Sequence, residues 1–166
     1  LKLVVAALIV VWAVYQFVQG NIGNGIALIL LSLFPVLLYF RNEFILLTFL
    51  RLRKQDFEGM EKWLNKIADP ETALLRKQQG YYNYMYGVIY TRKNLTQAEK
   101  YFRKALQLGL TMDYDKAMVK MSLAGIMIQK RKKREAQELL TEAKKLDKQN
   151  MMTEQIKMLQ QQLKKI

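Results

Sequence analysis

The chain has 166 residues and a formal net charge of +13, with 27 Lys and Arg against 14 Asp and Glu, and it contains no His and no Cys. The absence of Cys excludes a disulfide framework, a thiolate metal site and a thiol nucleophile, and the absence of His removes the commonest metal ligand and general base. No Gly-rich phosphate loop or carboxylate cluster at metal-ligand spacing replaces them, so the sequence predicts a non-enzymatic protein with no catalytic residue, cofactor or metal site.

Charge is distributed very unevenly. No charged side chain lies between Lys2 and Arg41, and 26 of the 27 basic residues and all 14 acidic ones follow that stretch. Residues 3–18, LVVAALIVVWAVYQFV, are almost wholly apolar, and after Gln19, Gly20 and Asn21 a second apolar run fills 22–40. The pattern predicts a two-helix transmembrane hairpin over 1–41, with spans at about 1–18 and 22–40, near the lower limit for a hydrocarbon core of roughly 30 Å. Two other readings compete. A signal peptide would need a small-residue cleavage site, and none follows the first run. A buried globular hairpin would carry a polar stripe, and neither helix has one.

The chain starts at Leu1 rather than Met, so further residues are expected upstream. The turn between the runs is uncharged, whereas Lys2, Arg41, Arg51, Arg53 and Lys54 flank them. Positive residues stay on the cytoplasmic side, which predicts an inner-membrane protein with both ends and the soluble domain cytoplasmic. Trp12, Tyr15 and Phe17 near the turn, with Tyr39 and Phe40 at the far end, suit interfacial anchors. Pro35 is expected to kink the second span. Gly20, Gly23, Gly25 and Ala27 permit close helix approach or simply make the turn.

About 115 residues follow Arg51, enough for one soluble domain of ordinary size. Apolar residues recur there at helical spacing, punctuated by Pro, Gly and Asn. A shift of 38 residues superposes Gly87, Ala98, Phe102, Ala105, Leu106 and Leu108 on Gly125, Ala136, Leu140, Ala143, Lys144 and Leu146, and only the pairing of Leu106 with Lys144 breaks the apolar match. In residues 94–109, NLTQAEKYFRKALQLG, the side chains of Ala98, Phe102 and Ala105 share one helix face, and Thr96 with Glu99 predicts a capping box. Here the chain resembles the tetratricopeptide repeat family, whose helix pair carries a glycine in its first helix, then alanine, aromatic and alanine at spacings of four and three in its second.

The resemblance implies an all-α fold: after the hairpin, a short α-solenoid over 42–166. It comprises a partial unit at 42–70, units at 72–110 and 112–148, and a capping helix over 150–166 with Ile156, Leu159 and Leu163 on one stripe. In the partial unit, Gly59 and Trp63 are expected where the family has alanine and aromatic, with Asp69-Pro70 closing it. Its first helix, 42–54, is expected to continue from the second span and to set the array rigidly against the membrane.

In the family the first helix of each pair lines a concave groove that holds protein partners. Carried over, this exposes Tyr81, Tyr84 and Arg92 from the glycine at 87, and Ser122, Gln129 and Lys130 from the glycine at 125. Tyr and Arg are favoured interface anchors, although five tyrosines in GYYNYMYGVIY cannot all point one way, and ordinary inter-helix packing is the alternative for each. With Tyr84 and Val88 where the family's chaperone-binding subset has Lys and Asn, a C-terminal carboxylate is not the expected ligand.

Lys130, Arg131, Lys132, Lys133 and Arg134 form a basic run at a predicted helix turn. It suits anionic lipid, an acidic protein or RNA, or is a solvated turn; with no interleaved aromatics or nucleic-acid motif, RNA is the least expected of these. Asp113 and Asp115 read as helix-start and macrodipole residues rather than an acid/base pair. Asn94-Leu95-Thr96 fits the glycosylation pattern but is expected unmodified.

The expected function is a membrane-anchored protein-protein interaction adaptor. It would be an accessory subunit of an inner-membrane complex, with other integral membrane subunits among its partners. A regulatory subunit of a membrane enzyme or translocation machine would share that mechanism. The alternative is a membrane-tethered electrostatic binder of anionic lipid or RNA through the basic turn.

Overall fold

A computed structural model describes the backbone of residues 2–40 and 43–165, with side chains from 3–36 and 43–165. The all-α expectation holds. The described residues form ten helices: α1 (Lys2–Val18), α2 (Ile22–Phe40), α3 (Glu43–Arg53), α4 (Phe57–Leu64), α5 (Pro70–Ala73), α6 (Arg76–Lys93), α7 (Leu95–Leu108), α8 (Asp113–Gln129), α9 (Lys133–Leu146) and α10 (Thr153–Lys164). Packing divides the chain into two units, Leu1–Leu46 and Leu47–Ile166.

In the first unit α1 and α2 pack along each other. Gly20, at φ +78°, makes the turn, a backbone conformation that L side chains rarely adopt. The seam is made of small residues. Ala6 and Ala13 are buried on α1, and Gly25 and Ser32 on α2, seven residues apart in each helix. A Cβ built on Gly25 would lie 2.7 Å from Cζ of Phe17, so the ring occupies the space that a side chain there would take. Close approach therefore rests on Gly25, while Gly23 and Ala27 face outward. Ser32 settles its hydroxyl by donating to the Ile29 carbonyl at 2.7 Å. Apart from Phe17, whose ring rests on Gly25, most large apolar side chains point away from the seam, with Leu8, Val11, Trp12, Leu30 and Phe34 all more than 60% exposed.

Among the described residues no helix is long and apolar enough to cross a membrane. The α1 helix has 17 residues, and the side chains of α2 are described only to Val36. The expected anchors Tyr39 and Phe40 lie outside the described side chains. The expected continuity into 42–54 falls on residues 41 and 42, outside the described residues.

In the second unit, α6 with α7 and α8 with α9 form packed helix pairs, α4 and α5 contact α6, and α10 contacts α8 and α9. The buried stripe of the second helix in each pair repeats every 38 residues. Ala98, Phe102 and Ala105 on α7 correspond to Ala136, Leu140 and Ala143 on α9, all 0% exposed. The same register runs back to Met60, Leu64 and Ile67, at most 6% exposed.

This corrects the expected register of the partial unit by one residue. Gly59 and Trp63 do not hold the alanine and aromatic positions; Met60 and Leu64 do. One residue is about 100° of helix, which decides the buried face. Gly59 serves the helix start instead: its N–H donates to the Asp56 carboxylate at 2.8 Å, which occupies the space a Cβ would need. Trp63 is half-buried, with Lys66 Nζ 3.9 Å from its ring centroid.

The start of α7 is also corrected. Asn94 caps it, its side chain accepting from the Thr96 and Gln97 N–H groups at 3.0 and 3.1 Å, so Thr96 and Glu99 form no capping box. An N-cap Asn one residue before the helix leaves Thr96 inside the first turn, and Glu99 is free to pair elsewhere.

Candidate functional site

The tyrosine-rich helix α6 divides its rings between two sides, as its period requires. Tyr82, Tyr86 and Tyr90 join Tyr101 of α7 in one cluster, with Tyr86 and Tyr101 stacked at 5.4 Å. The Tyr86 hydroxyl donates to Asn65 Oδ1 at 2.5 Å. On the other side Tyr81 and Tyr84 meet Phe49, with ring centroids at 5.6 and 6.4 Å.

Tyr84 is 4% exposed, which corrects the expectation that it lines an open groove. Its ring packs between Phe49 and Phe102, and burial pushes its hydroxyl pKa well up. Tyr81 is half-buried and already committed: its hydroxyl donates to Asp115 Oδ2 at 2.6 Å and accepts from the Thr111 N–H at 3.2 Å. It joins α6 to the start of α8 across the interval between units. Arg92 is exposed, its guanidinium 4.1 Å from the Phe57 ring centroid. Ser122 is half-buried and donates to the Met118 carbonyl at 2.9 Å, and Gln129 is exposed. The six predicted groove residues thus form no single open surface; two of the tyrosines serve packing and inter-unit clasping.

The basic run is split by structure. Lys130 to Lys132 make the turn after α8, with Arg131 at φ +57°, and Lys133 and Arg134 open α9. Lys130 Nζ lies 2.7 Å from Glu99 Oε2, so this cation ties α8 to α7. Lys132 reaches Glu135 at 3.8 Å and Arg134 reaches Glu138 at 3.1 Å, whereas Arg131 and Lys133 have no carboxylate partner among the described residues. Glu99 also meets Arg103 at 2.8 Å, and Arg103 in turn contacts Glu135. The result is a five-residue ion network of Lys130, Glu99, Arg103, Glu135 and Lys132 bridging consecutive units. Burial raises the Glu99 pKa, but hydrogen bonds from Lys130 and Arg103 outweigh it and leave the carboxyl below its ordinary value.

Asp113 and Asp115 act separately. Asp113 pairs with Lys116 at 3.0 Å and Lys148 at 3.3 Å, which hold its carboxyl below the ordinary range, while Asp115 takes the Tyr81 hydroxyl. The N-cap position of α8 is Met112, so both aspartates sit in the first turn. Among the described residues no group of three or more acidic side chains is placed to hold a metal ion.

Residues that sequence reasoning missed are Asp115 as the Tyr81 acceptor, and Glu99, Arg103 and Glu135 as the inter-unit network. Their partners lie 31 to 34 positions away, close to one repeat period, which is the signal that would have found them. No family model, curated protein or solved structure matches this chain.

Proposed function

We propose that the protein is a membrane-anchored adaptor of the tetratricopeptide-like class, an accessory subunit of an inner-membrane complex. In this reading α1 and α2 form the transmembrane hairpin, and the helical array on the cytoplasmic side recruits protein partners.

The observation that carries the reading is the inverted packing of the hairpin. Its seam is Ala6, Ala13, Gly25 and Ser32, and its outward surface is Leu, Val, Ile, Phe and Trp. Water would drive the large apolar groups inward, whereas lipid gives them no such preference and leaves close approach of small residues as the source of helix association. At 1.5 Å per residue the 17 and 19 residues of the two helices extend for about 25 and 28 Å, slightly short of a typical core and within the mismatch a bilayer accommodates. Repeating helix pairs with a buried small-large-small stripe support the adaptor part, because such arrays offer extended surface rather than a chemical centre.

Carbonate extraction of membranes tests the anchor: the chain should stay in the pellet, and release to the supernatant overturns the reading. Protease added outside intact spheroplasts tests orientation, and cleavage within residues 47–165 would reverse it. Purification in mild detergent with mass-spectrometric identification should return stoichiometric integral membrane partners retained at high salt. Recovery of only salt-sensitive lipid or RNA would favour the electrostatic alternative.

A further inference from the structure

The last helix, α10, repeats the first helix of a pair without a second helix beside it among the described residues. Its start at Thr153 lies 40 residues after that of α8 at Asp113, rather than 38, because six residues join α9 to α10 where four join α7 to α8. With that offset, Val119 and Leu123 of α8 correspond to Leu159 and Leu163 of α10, which pack into the core.

The other face of α8 receives α9. Lys120 contacts Glu142 of α9, and Ala117, Met121 and Ala124 lie on the same helical face at −3, +1 and +4. Forty residues on, that face of α10 is Lys157, Gln160, Gln161 and Lys164. These four line an open trough of about 1030 Å³, whose opposite wall is Lys133, Arg134 and Gln137 of α9. Two turns of helix about 10 Å in diameter fill roughly 850 Å³, so the trough accepts a helix of that order of length.

We infer that this trough between α9 and α10 is the receiving slot for an acidic amphipathic helix of a partner protein, docked as α9 docks on α8. The inference rests on the adaptor reading and names the chemistry of its partner. The molecule supplies the template for both shape and charge. In the occupied slot the incoming helix α9 brings carboxylates to the receiving side, Glu142 to Lys120 and Glu135 to Arg103. In the open slot the receiving side presents four cations, Lys133, Arg134, Lys157 and Lys164, against the one carboxylate of Glu138 on its wall. Among the described residues Arg134 and Lys157 make only same-helix ion pairs, to Glu138 and to Glu154, both highly exposed and readily exchanged for a partner's carboxylates. Where α8 has Ala117 and Ala124, α10 has long lysines, so a purely apolar helix would strand charge, and an acidic one meets it.

The test uses the full chain in detergent and a labelled synthetic peptide of α9, residues 133–146, carrying Lys133→Glu, Arg134→Glu, Lys144→Glu and Lys145→Glu but keeping Ala136, Leu140 and Ala143. Anisotropy at low salt should give saturable binding, weakened about tenfold or more by Lys157→Glu with Lys164→Glu in the chain. The unmodified basic peptide should bind that doubly substituted chain and not the native one, a charge swap that a misfolded variant would not produce. Equal binding of the acidic peptide to both chains, or none to either, overturns the slot. So does loss in the variant of uridine-oligonucleotide or phosphatidylserine-vesicle binding while the acidic peptide stays unbound. Membrane partners that remain stoichiometric on a chain with the double substitution would refute the slot and leave the adaptor reading standing; absence of any partner on the native chain refutes the adaptor reading itself.

Discussion

Gly87 of α6 lies so close to Phe102 of α7 that a Cβ built on it would stand 2.5 Å from Cδ1 of the ring. At its counterpart one period on, Gly125, a Cβ would meet only Leu159 Cδ2 of α10, at 3.9 Å, an ordinary van der Waals contact. The same glycine is thus obligatory in one unit, where the buried Phe102 ring fills the space of a Cβ, and dispensable in the next, where that space is open. Gly87→Ala should destabilise the chain by about 1–3 kcal/mol through overpacking. Gly125→Ala should be neutral or stabilise it by roughly 0.5–1 kcal/mol, the helix-interior cost of glycine. Urea unfolding followed by circular dichroism separates them, and equal destabilisation by both would refute the contrast.

Alkaline pH should unfold the second unit. Burial pushes the hydroxyl pKa values of Tyr84, Tyr86, Tyr101 and Tyr81 upward, reinforced at Tyr81 by the hydrogen bond to Asp115. A raised folded-state value means the native chain holds its proton where the unfolded chain has lost it. The contribution to stability is therefore complete below the unfolded value of about 10 and falls as pH rises above it. Tyrosinate absorbance and helical ellipticity should change together in that range. Tyr84→Phe should move the transition to higher pH; an unchanged midpoint would show that Tyr84 ionises without unfolding.

Acid should release the inter-unit network. Glu99 has its carboxyl below the ordinary value, held by Lys130 and Arg103 against the opposing effect of burial. A lowered folded-state value gives stability that is present above the unfolded value, about 4.3, and lost as pH falls through the folded one. Glu99→Gln should cost about 0.5–1 kcal/mol near neutral pH, the scale of an ion network only partly shielded from water. That difference from the native chain should shrink toward zero below about pH 4. A cost independent of pH would mean that Glu99 acts through packing alone.

Much of this fold is legible from the residues because both of its units are written in periodicity. The uncharged stretch between Lys2 and Arg41 marks the hairpin, and alanine, aromatic and alanine at spacings of four and three mark α7 before any packing is known. Legibility ends where one residue of register matters. Tyr84 was expected at a groove and is buried between Phe49 and Phe102, and Trp63 was expected at the aromatic position and Leu64 lies there instead. A composition rich in apolar residues on several faces of α4 and α6 does not choose between rotations of about 100°. The pairings of Glu99 with Lys130 and of Tyr81 with Asp115 are set by how successive helix pairs stack, which no local pattern encodes.

Asp147 controls whether α10 keeps the offset that opens its slot. It is 6% exposed, and its two carboxylate oxygens accept the N–H groups of Met151 at 3.0 Å and Met152 at 2.8 Å, binding the six-residue connection into a fixed turn. The Met152 side chain, 2% exposed, follows into the core just ahead of Ile156. Asp147→Ala would remove the acceptor of two backbone donors and leave the buried Met152 N–H unpaired, a loss of about 1–3 kcal/mol. Asp147→Asn retains one acceptor oxygen and should cost less. Because α10 packs chiefly on α8 and α9 among the described helices, its release does not require α6 and α7 to open, so the loss should be local. Hydrogen exchange should therefore accelerate in 151–164 in the alanine variant while α7 stays protected. Acceleration spread evenly over α6 to α10 would show instead that Asp147 supports the array as one cooperative body.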